Sequence, residues 1–233
     1  RKPVSEHTIM LLLAVMNRLT WADRGARDGT AWSSRTNTDF RELEGSTVGI
    51  LGLGYIGSEL ARKLTAGFRC RVIGHDPYVN KRIPLNVGAE MVDNLDDMLR
   101  QVSILCICAE LTDETRNVIS KRELELLPKG SVVTNTARGQ ILDLDALAEA
   151  LASGHIMGAG IDVTYPEPLP SNHSIYAQEN VIFTPHTAGL TRETASAQTR
   201  FSVSQVMTVL NGGEPTFPVN PEAWSGSASR KPE

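Results

Sequence analysis

The sequence is short of cysteine, of excess positive charge and of long apolar runs. Its three cysteines are an odd number, too few for a disulfide framework, and they point to a reducing, cytosolic setting. The apolar run nearest the start, Ile9 to Met16, is far shorter than the roughly 20 residues a membrane-spanning helix needs. No Ala-x-Ala site follows it, so it does not read as a signal peptide. With 23 basic and 27 acidic residues the net charge is −4, which argues against a grip on nucleic acid as the main function. There is no internal repeat. An initiating Met is also missing: the chain opens at Arg1, almost directly into an apolar helix, and we expect further chain to precede it in the source protein.

What is present is globular. The 233 residues allow one large domain or one domain plus a piece, at roughly 100–200 residues per domain. Hydrophobic residues make up 41% and charged residues 21%, which does not indicate disorder. The apolar spacing predicts a helix from Ser5 to about Asp28, with Gly29 as its C-terminal cap. Its first half is apolar nearly all round, so it is buried or lies in an interface. Strands and helices then alternate. Strands are expected at Thr47–Gly52, Arg71–His75, Ser103–Cys108, Ser131–Asn135, Met157–Val163 and Val181–Thr184, with a short extra one at Val87–Met91. Helices are expected at Tyr55–Ala66, Asp93–Gln101, Lys121–Leu127, Leu144–Ser153 and Thr191–Leu210. Ala223 to Glu233 reads as a mobile tail. Alternation with continuously apolar strands predicts an α/β fold, a doubly wound parallel sheet with helices on both faces.

The first strand runs into Gly52-Leu53-Gly54-Tyr55-Ile56-Gly57, a G-x-G-x-x-G that opens a helix. In that context the glycines serve a tight turn, a close approach to a pyrophosphate and close helix packing. The helix N-terminus offers free N–H groups and a positive dipole end to phosphates. Asp76 stands at the end of the second strand, 19 residues after Gly57, near the expected spacing of about 20 for a ribose-binding acid. A carboxylate there repels a 2′-phosphate and favours NAD over NADP. Arg82 could bend back toward it.

Three further polar residues lie past the carboxyl ends of later strands, where open α/β sheets bind ligands. Arg138 follows Val133-Thr134-Asn135-Thr136-Ala137, Glu167 sits between two prolines after Val163, and His186 follows Thr184-Pro185. The set suits hydride transfer at a hydroxyl-bearing carbon. An imidazole can take and return the hydroxyl proton, a carboxylate can orient it, and a guanidinium can hold a planar carboxylate by two hydrogen bonds. Other polar residues read as structural. Cys106 and Cys108 belong to the core, Asp143 and Asp145 to a helix start, and Trp21, Trp32 and Trp224 to packing. His7, His155 and His173 have no partner at a metal spacing, and no metal is expected; His75, beside Asp76, reads as a plain strand-end histidine, with bordering an adenosine site as the alternative.

Gly-Leu-Gly-Tyr-Ile-Gly, Asn-Thr-Ala-Arg-Gly (135–139), Gly-Ile-Asp-Val-x-x-x-Glu-Pro (160–168) and Thr-Pro-His-Thr-Ala-Gly (184–189), in this order, resemble the D-isomer-specific 2-hydroxyacid dehydrogenases. The resemblance runs from about Ser5 to Asn220. It is nearest to phosphoglycerate dehydrogenases and their hydroxypyruvate-reducing relatives, through Trp32-x-x-Arg35 and Glu42-Leu43-Glu44-Gly45. It implies a Rossmann-type NAD-binding domain at 1–189, whose leading helix (1–30) makes a homodimer contact. It implies that 190–233 is the C-terminal remnant of a second, substrate-binding domain whose N-terminal portion is absent.

For the site, the resemblance implies Arg138 as binder of the carboxylate of a small 2-hydroxy or 2-oxo acid, and Glu167 as partner of the acid/base His186. Asp162 would contact the nicotinamide carboxamide, with Thr136, Ala137, His186 and Gly189 lining that end of the cofactor. Gly52, Gly54, Tyr55, Ile56, Gly57, Asp76 and Thr112 would serve its other end. Glu110 departs from the family pattern in Ala109-Glu110-Leu111-Thr112, where a Pro is usual. It either weakens the cofactor's hold or points to solvent. The leading expectation is a cytoplasmic, dimeric NAD-dependent oxidoreductase. The alternatives are a dimeric co-regulator that senses NADH, and a chain that binds NAD without turnover.

Overall fold

The computed structural model describes residues 1–36, 39–80 and 86–221. Arg82, Trp224 and the expected tail lie outside these. The chain divides into two compact units, the first Arg1–Gly189 and the second from Leu190 onward.

The first unit is built on a seven-stranded sheet: β1 (Thr47–Leu51), β2 (Arg71–His75), β3 (Ala89–Met91), β4 (Ile104–Ile107), β5 (Ser131–Asn135), β6 (Ile156–Ile161) and β7 (Val181–Phe183). The strand order is β3-β2-β1-β4-β5-β6-β7, and every pairing is parallel. Its helices are α1 (Lys2–Met16), α2 (Leu19–Asp28), α3 (Tyr55–Phe68), α4 (Leu95–Leu99), α5 (Lys121–Leu126) and α6 (Leu144–Ala152). The sequence reversal between β1 and β4 makes the topological switch point at which α/β sheets bind ligands.

The continuous apolar strands are explained by two cores, one on each face of the sheet. In β4, Ile104 and Cys106 join a cluster with Leu12 and Val15 of α1 and Leu60 and Leu64 of α3. Leu105 and Ile107 point the other way, to Leu99, Leu124 and Leu147 of α4, α5 and α6. The period of two delivers alternate residues to opposite faces, and both faces are covered. Burial pushes the Cys106 thiol up to about 12, as expected of a core cysteine. Cys108, also expected in the core, packs against it partly buried and borders the cavity at the switch point as well.

The start of the chain differs from the expectation of one helix. Asn17 ends α1, its side-chain amide donating to the Leu13 carbonyl at 3.0 Å. Arg18 takes a left-handed conformation (φ 47°) and the chain restarts as α2. Gly29, also left-handed, caps α2 as expected. α1 seats on β6 at Gly158 and Gly160, where added Cβ atoms would stand 2.6 Å from Val15 Cγ1 and 2.7 Å from Leu11 Cβ. The anticipated packing role of Trp32 is not met: it is 63% exposed, with Arg35 over its ring.

The second unit contains α7 (Arg192–Leu210), capped by the Thr191 hydroxyl, which accepts from the Thr194 N–H. Phe201 and Phe217 pack at 6.1 Å between ring centroids. Among the described residues no helix is long and apolar enough to cross a membrane.

Candidate active site

The glycine loop and α3 form one wall of a cavity of about 480 Å³ at the switch point. Gly52 has φ +89°, and a Cβ there would lie 2.5 Å from Ala109 Cα, so the crossing of this turn with the end of β4 demands glycine. At Gly57 a Cβ would lie 2.0 Å from the Gly52 carbonyl oxygen. Gly54 is different: a Cβ there would meet no protein atom within 4 Å. No packing reason for that glycine is visible, and the space beside it is open.

Gly54 is also the N-cap of α3, which has no side-chain cap, whereas α4, α6 and α7 are capped by Asn94, Asp143 and Thr191. The first N–H groups of α3 are therefore left for an anion. These two features fit the pyrophosphate of a dinucleotide.

Tyr55, Ile56, Asp76 and Thr112 border the same cavity, as do His75, Glu110 and Glu114. Asp76 is engaged locally. Its Oδ2 accepts the Leu53 N–H at 2.8 Å, and its Oδ1 accepts the Tyr78 and Val79 N–H groups at 2.9 and 3.0 Å. It thus ties the glycine loop to the end of β2, and Oδ2 keeps a lone pair for a further donor. Tyr78 donates its hydroxyl to Glu114 across the mouth of the cavity, and the carboxylate raises the phenol's pKa.

A second cavity, about 350 Å³, lies beyond β6 and β7 and is bordered by Asp162, Glu167 and His186. His186 Nδ1 stands 3.0 Å from Glu167 Oε2. Glu167 Oε1 accepts the Thr164 N–H at 3.1 Å. The His186 hydrogen bond, aided by the Thr164 N–H, holds the Glu167 carboxyl below the ordinary carboxylate range. His186 itself has φ 54°, a left-handed conformation that costs on the order of 1–3 kcal/mol in a residue other than glycine. Its N–H donates to the Asp162 and Thr184 carbonyls.

Asp162 is 2% exposed. Oδ1 accepts from the Thr184 hydroxyl at 2.5 Å and the Thr187 N–H at 2.9 Å, and Oδ2 from the Ala188 N–H at 3.1 Å. This carboxylate fastens the loop that carries His186, a task the sequence reading did not assign to it.

Arg138 is exposed and donates to the carbonyl of Ala137. Among the described residues no acidic side chain pairs with it. Buried Asn135 shapes its turn, accepting the Ala137 N–H and donating to the Arg138 carbonyl. A Cβ on Gly139 would stand 2.1 Å from the Thr164 carbonyl carbon. The Arg138 turn therefore lies directly against the loop that carries Glu167. The structure brings Glu167 and His186 into contact and sets Arg138 on the neighbouring turn. Thr136 is 9% exposed, its hydroxyl 2.9 Å from that of Thr8. Gly189 closes the His186 loop.

The profile of the "D-isomer specific 2-hydroxyacid dehydrogenase, NAD binding domain" matches residues 9–188. The chain is 39% identical over 223 residues to a glyoxylate reductase of Aeropyrum pernix, covering 94% of this chain and 66% of that protein. It is 33% identical over 209 residues to a D-3-phosphoglycerate dehydrogenase of Methanocaldococcus jannaschii, covering 90% and 39%. A solved glyoxylate reductase from Paecilomyes thermophila superposes with a TM-score of 0.84 at 28% identity, covering 94% and 65%. The chain spans less than two thirds of the length of each. With the sheet order, the glycine loop and this match over most of its length, the chain belongs to the D-isomer specific 2-hydroxyacid dehydrogenases and carries their NAD-binding domain.

Proposed function

We propose that this chain transfers hydride reversibly between NAD(H) and a small D-2-hydroxy acid or its 2-oxo acid. The observation that carries the reading is the 3.0 Å pair of Glu167 and His186 at the carboxyl ends of the strands. Nicotinamide, when bound, supplies the hydride donor or acceptor. With Nδ1 occupied by Glu167, Nε2 of His186 is the atom left to remove the proton from a substrate hydroxyl, or to return it to a carbonyl oxygen. Glu167, fixed by the Thr164 N–H, sets the orientation of the ring. The guanidinium of Arg138, with no acidic partner among the described residues, holds the substrate carboxylate.

Asp76 with Glu110 and Glu114 makes one wall of the first cavity acidic, which favours NAD over the 2′-phosphorylated cofactor. Asp162 and Thr136 serve the nicotinamide end through the loops they fasten. A second copy of this chain covers the apolar patch formed by Ile9, Met10 and Leu13 of α1 with Leu19 at the start of α2. The three free thiols fit a reducing, cytoplasmic compartment. Residues from Leu190 onward form a segment of the substrate domain.

Oxidation of NADH with glyoxylate or hydroxypyruvate, compared between wild type and His186→Ala, tests the reading. Equal rates would sink it. A second reading, dinucleotide binding without turnover, is favoured by the exposure of the His186 and Glu167 side chains, 50% and 43%, since open water weakens a polar site. NADH titration beside the turnover assay separates the two.

A further inference from the structure

His7 lies on α1, outside both cavities, and nothing in its sequence surroundings marks it. Its side chain is 16% exposed. Nε2 is 2.8 Å from the Thr184 hydroxyl oxygen and 3.5 Å from Asp162 Oδ1. The Thr184 hydroxyl has a single hydrogen, which it gives to Asp162 Oδ1 at 2.5 Å. Thr184 must therefore accept from His7, and this fixes His7 as the tautomer protonated on Nε2. The result is a directional chain, His7 N–H to Thr184 O–H to the Asp162 carboxylate, in which each bond polarises the next.

The next residue, Thr8, gives its own hydrogen to the Val4 carbonyl at 2.8 Å. Its oxygen is thus left to accept from Thr136 at 2.9 Å. Two successive side chains of α1 hold the loops after β5 and β7.

We propose that His7 is a positioning residue for the nicotinamide end of the site. This inference rests on the reading of the cavity as a dinucleotide site. The loop after β7 needs such support because His186 is held there at φ 54°. Three donors of that loop converge on Asp162. Asp162 is in turn oriented by Thr184, and Thr184 by His7. Without the His7 N–H, the Thr184 hydroxyl can rotate away from Asp162. The carboxylate then loses its shortest bond, and the loop can relax from the left-handed conformation that aims His186. A merely structural histidine would support the fold as a whole, whereas this one acts on one end of a long ligand.

The ligand itself supplies the test. ADP-ribose carries the adenosine and pyrophosphate of NADH without the nicotinamide. Calorimetric titration of the full chain with both compounds should place them at different affinities in wild type. In His7→Leu the Kd for NADH should rise about tenfold, the effect of one lost hydrogen bond in a charged chain, while the Kd for ADP-ribose stays unchanged. His7→Gln, whose amide N–H reaches the position of Nε2, should restore NADH binding.

Parallel weakening of both ligands in His7→Leu would overturn the proposal, because the defect is then global. So would unchanged binding of both, or a Gln variant as weak as Leu. A folded wild type that binds neither compound would instead overturn the dinucleotide reading on which the inference rests.

Discussion

At the scale of single residues, the glycines of one loop perform separable tasks. Gly57→Ala forces a Cβ to 2.0 Å from a backbone oxygen and should destabilise the fold by about 1–3 kcal/mol, read by chemical denaturation. Gly54→Ala meets no protein atom. Its denaturation midpoint should stay near wild type, while NADH affinity falls at least about tenfold because the methyl group occupies the pyrophosphate's space. Equal stability loss in the two variants would refute the division.

Glu167 supplies a pH-dependent term. Its carboxyl is held low in the folded state by His186, so the stability it contributes is complete above the ordinary carboxylate range. That contribution is lost as the pH falls through the lowered folded value. The stability gap between wild type and Glu167→Gln should therefore shrink as the pH falls below the ordinary carboxylate range. The pair is half exposed, so the gap is small. Turnover of Glu167→Gln should fall about 10²-fold, because the ring loses its orienter.

At the scale of elements, α1 depends on two glycines of β6. Gly160→Val would drive a side chain into Leu11 and should lift α1 from the sheet. The loss of stability should be accompanied by weakened NADH binding, since His7 and Thr8 move with the helix. Hydrogen exchange along α1 checks it: protection should drop there first.

Much of this architecture was legible. Alternating apolar strands, the glycine loop and the spacing to Asp76 followed from local periodicity, and motif order set Arg138, Glu167 and His186 at the same edge of the sheet. Two things were not legible. The break at Arg18 is made by a left-handed residue in a run with no glycine or proline, so composition gives no stop signal. The pairing of His7 with Thr184 joins positions 177 apart in the chain, and a lone histidine early in an apolar helix carries no local trace of it. Asp76 was foreseen as a ligand residue, but its tie to Leu53 N–H depends on how the two strand ends meet in space.

At the scale of the whole molecule, ligand binding and self-association should both be visible in stability. NADH at about a hundred times its Kd stabilises the folded chain by about 2.7 kcal/mol. For a chain of this size that is a rise in Tm of roughly 5–11 °C. NADPH at the same concentration should raise it less, because the acidic wall beside Asp76 meets its extra phosphate. The exposed apolar patch of α1 and the start of α2, where Met10 is 46% and Leu19 54% exposed, should bring two copies together. Met10→Glu should shift sedimentation from dimer to monomer, and a wild type that sediments as a monomer would refute that assembly.

The docking of α1 on β6 also bears on how the chain is made. Leu11 meets Gly160, a partner synthesised about 150 residues later, which at roughly 5–20 residues per second is a delay of about 7–30 s on the ribosome. Throughout that interval the Leu11 face of α1 lacks its seat on β6, although Leu12 and Val15 can already meet Leu60 and Leu64 of α3. Until β6 is made, that face stays open to other chains. The growing polypeptide is thus open to aggregation at the helix that later meets the loops after β5 and β7.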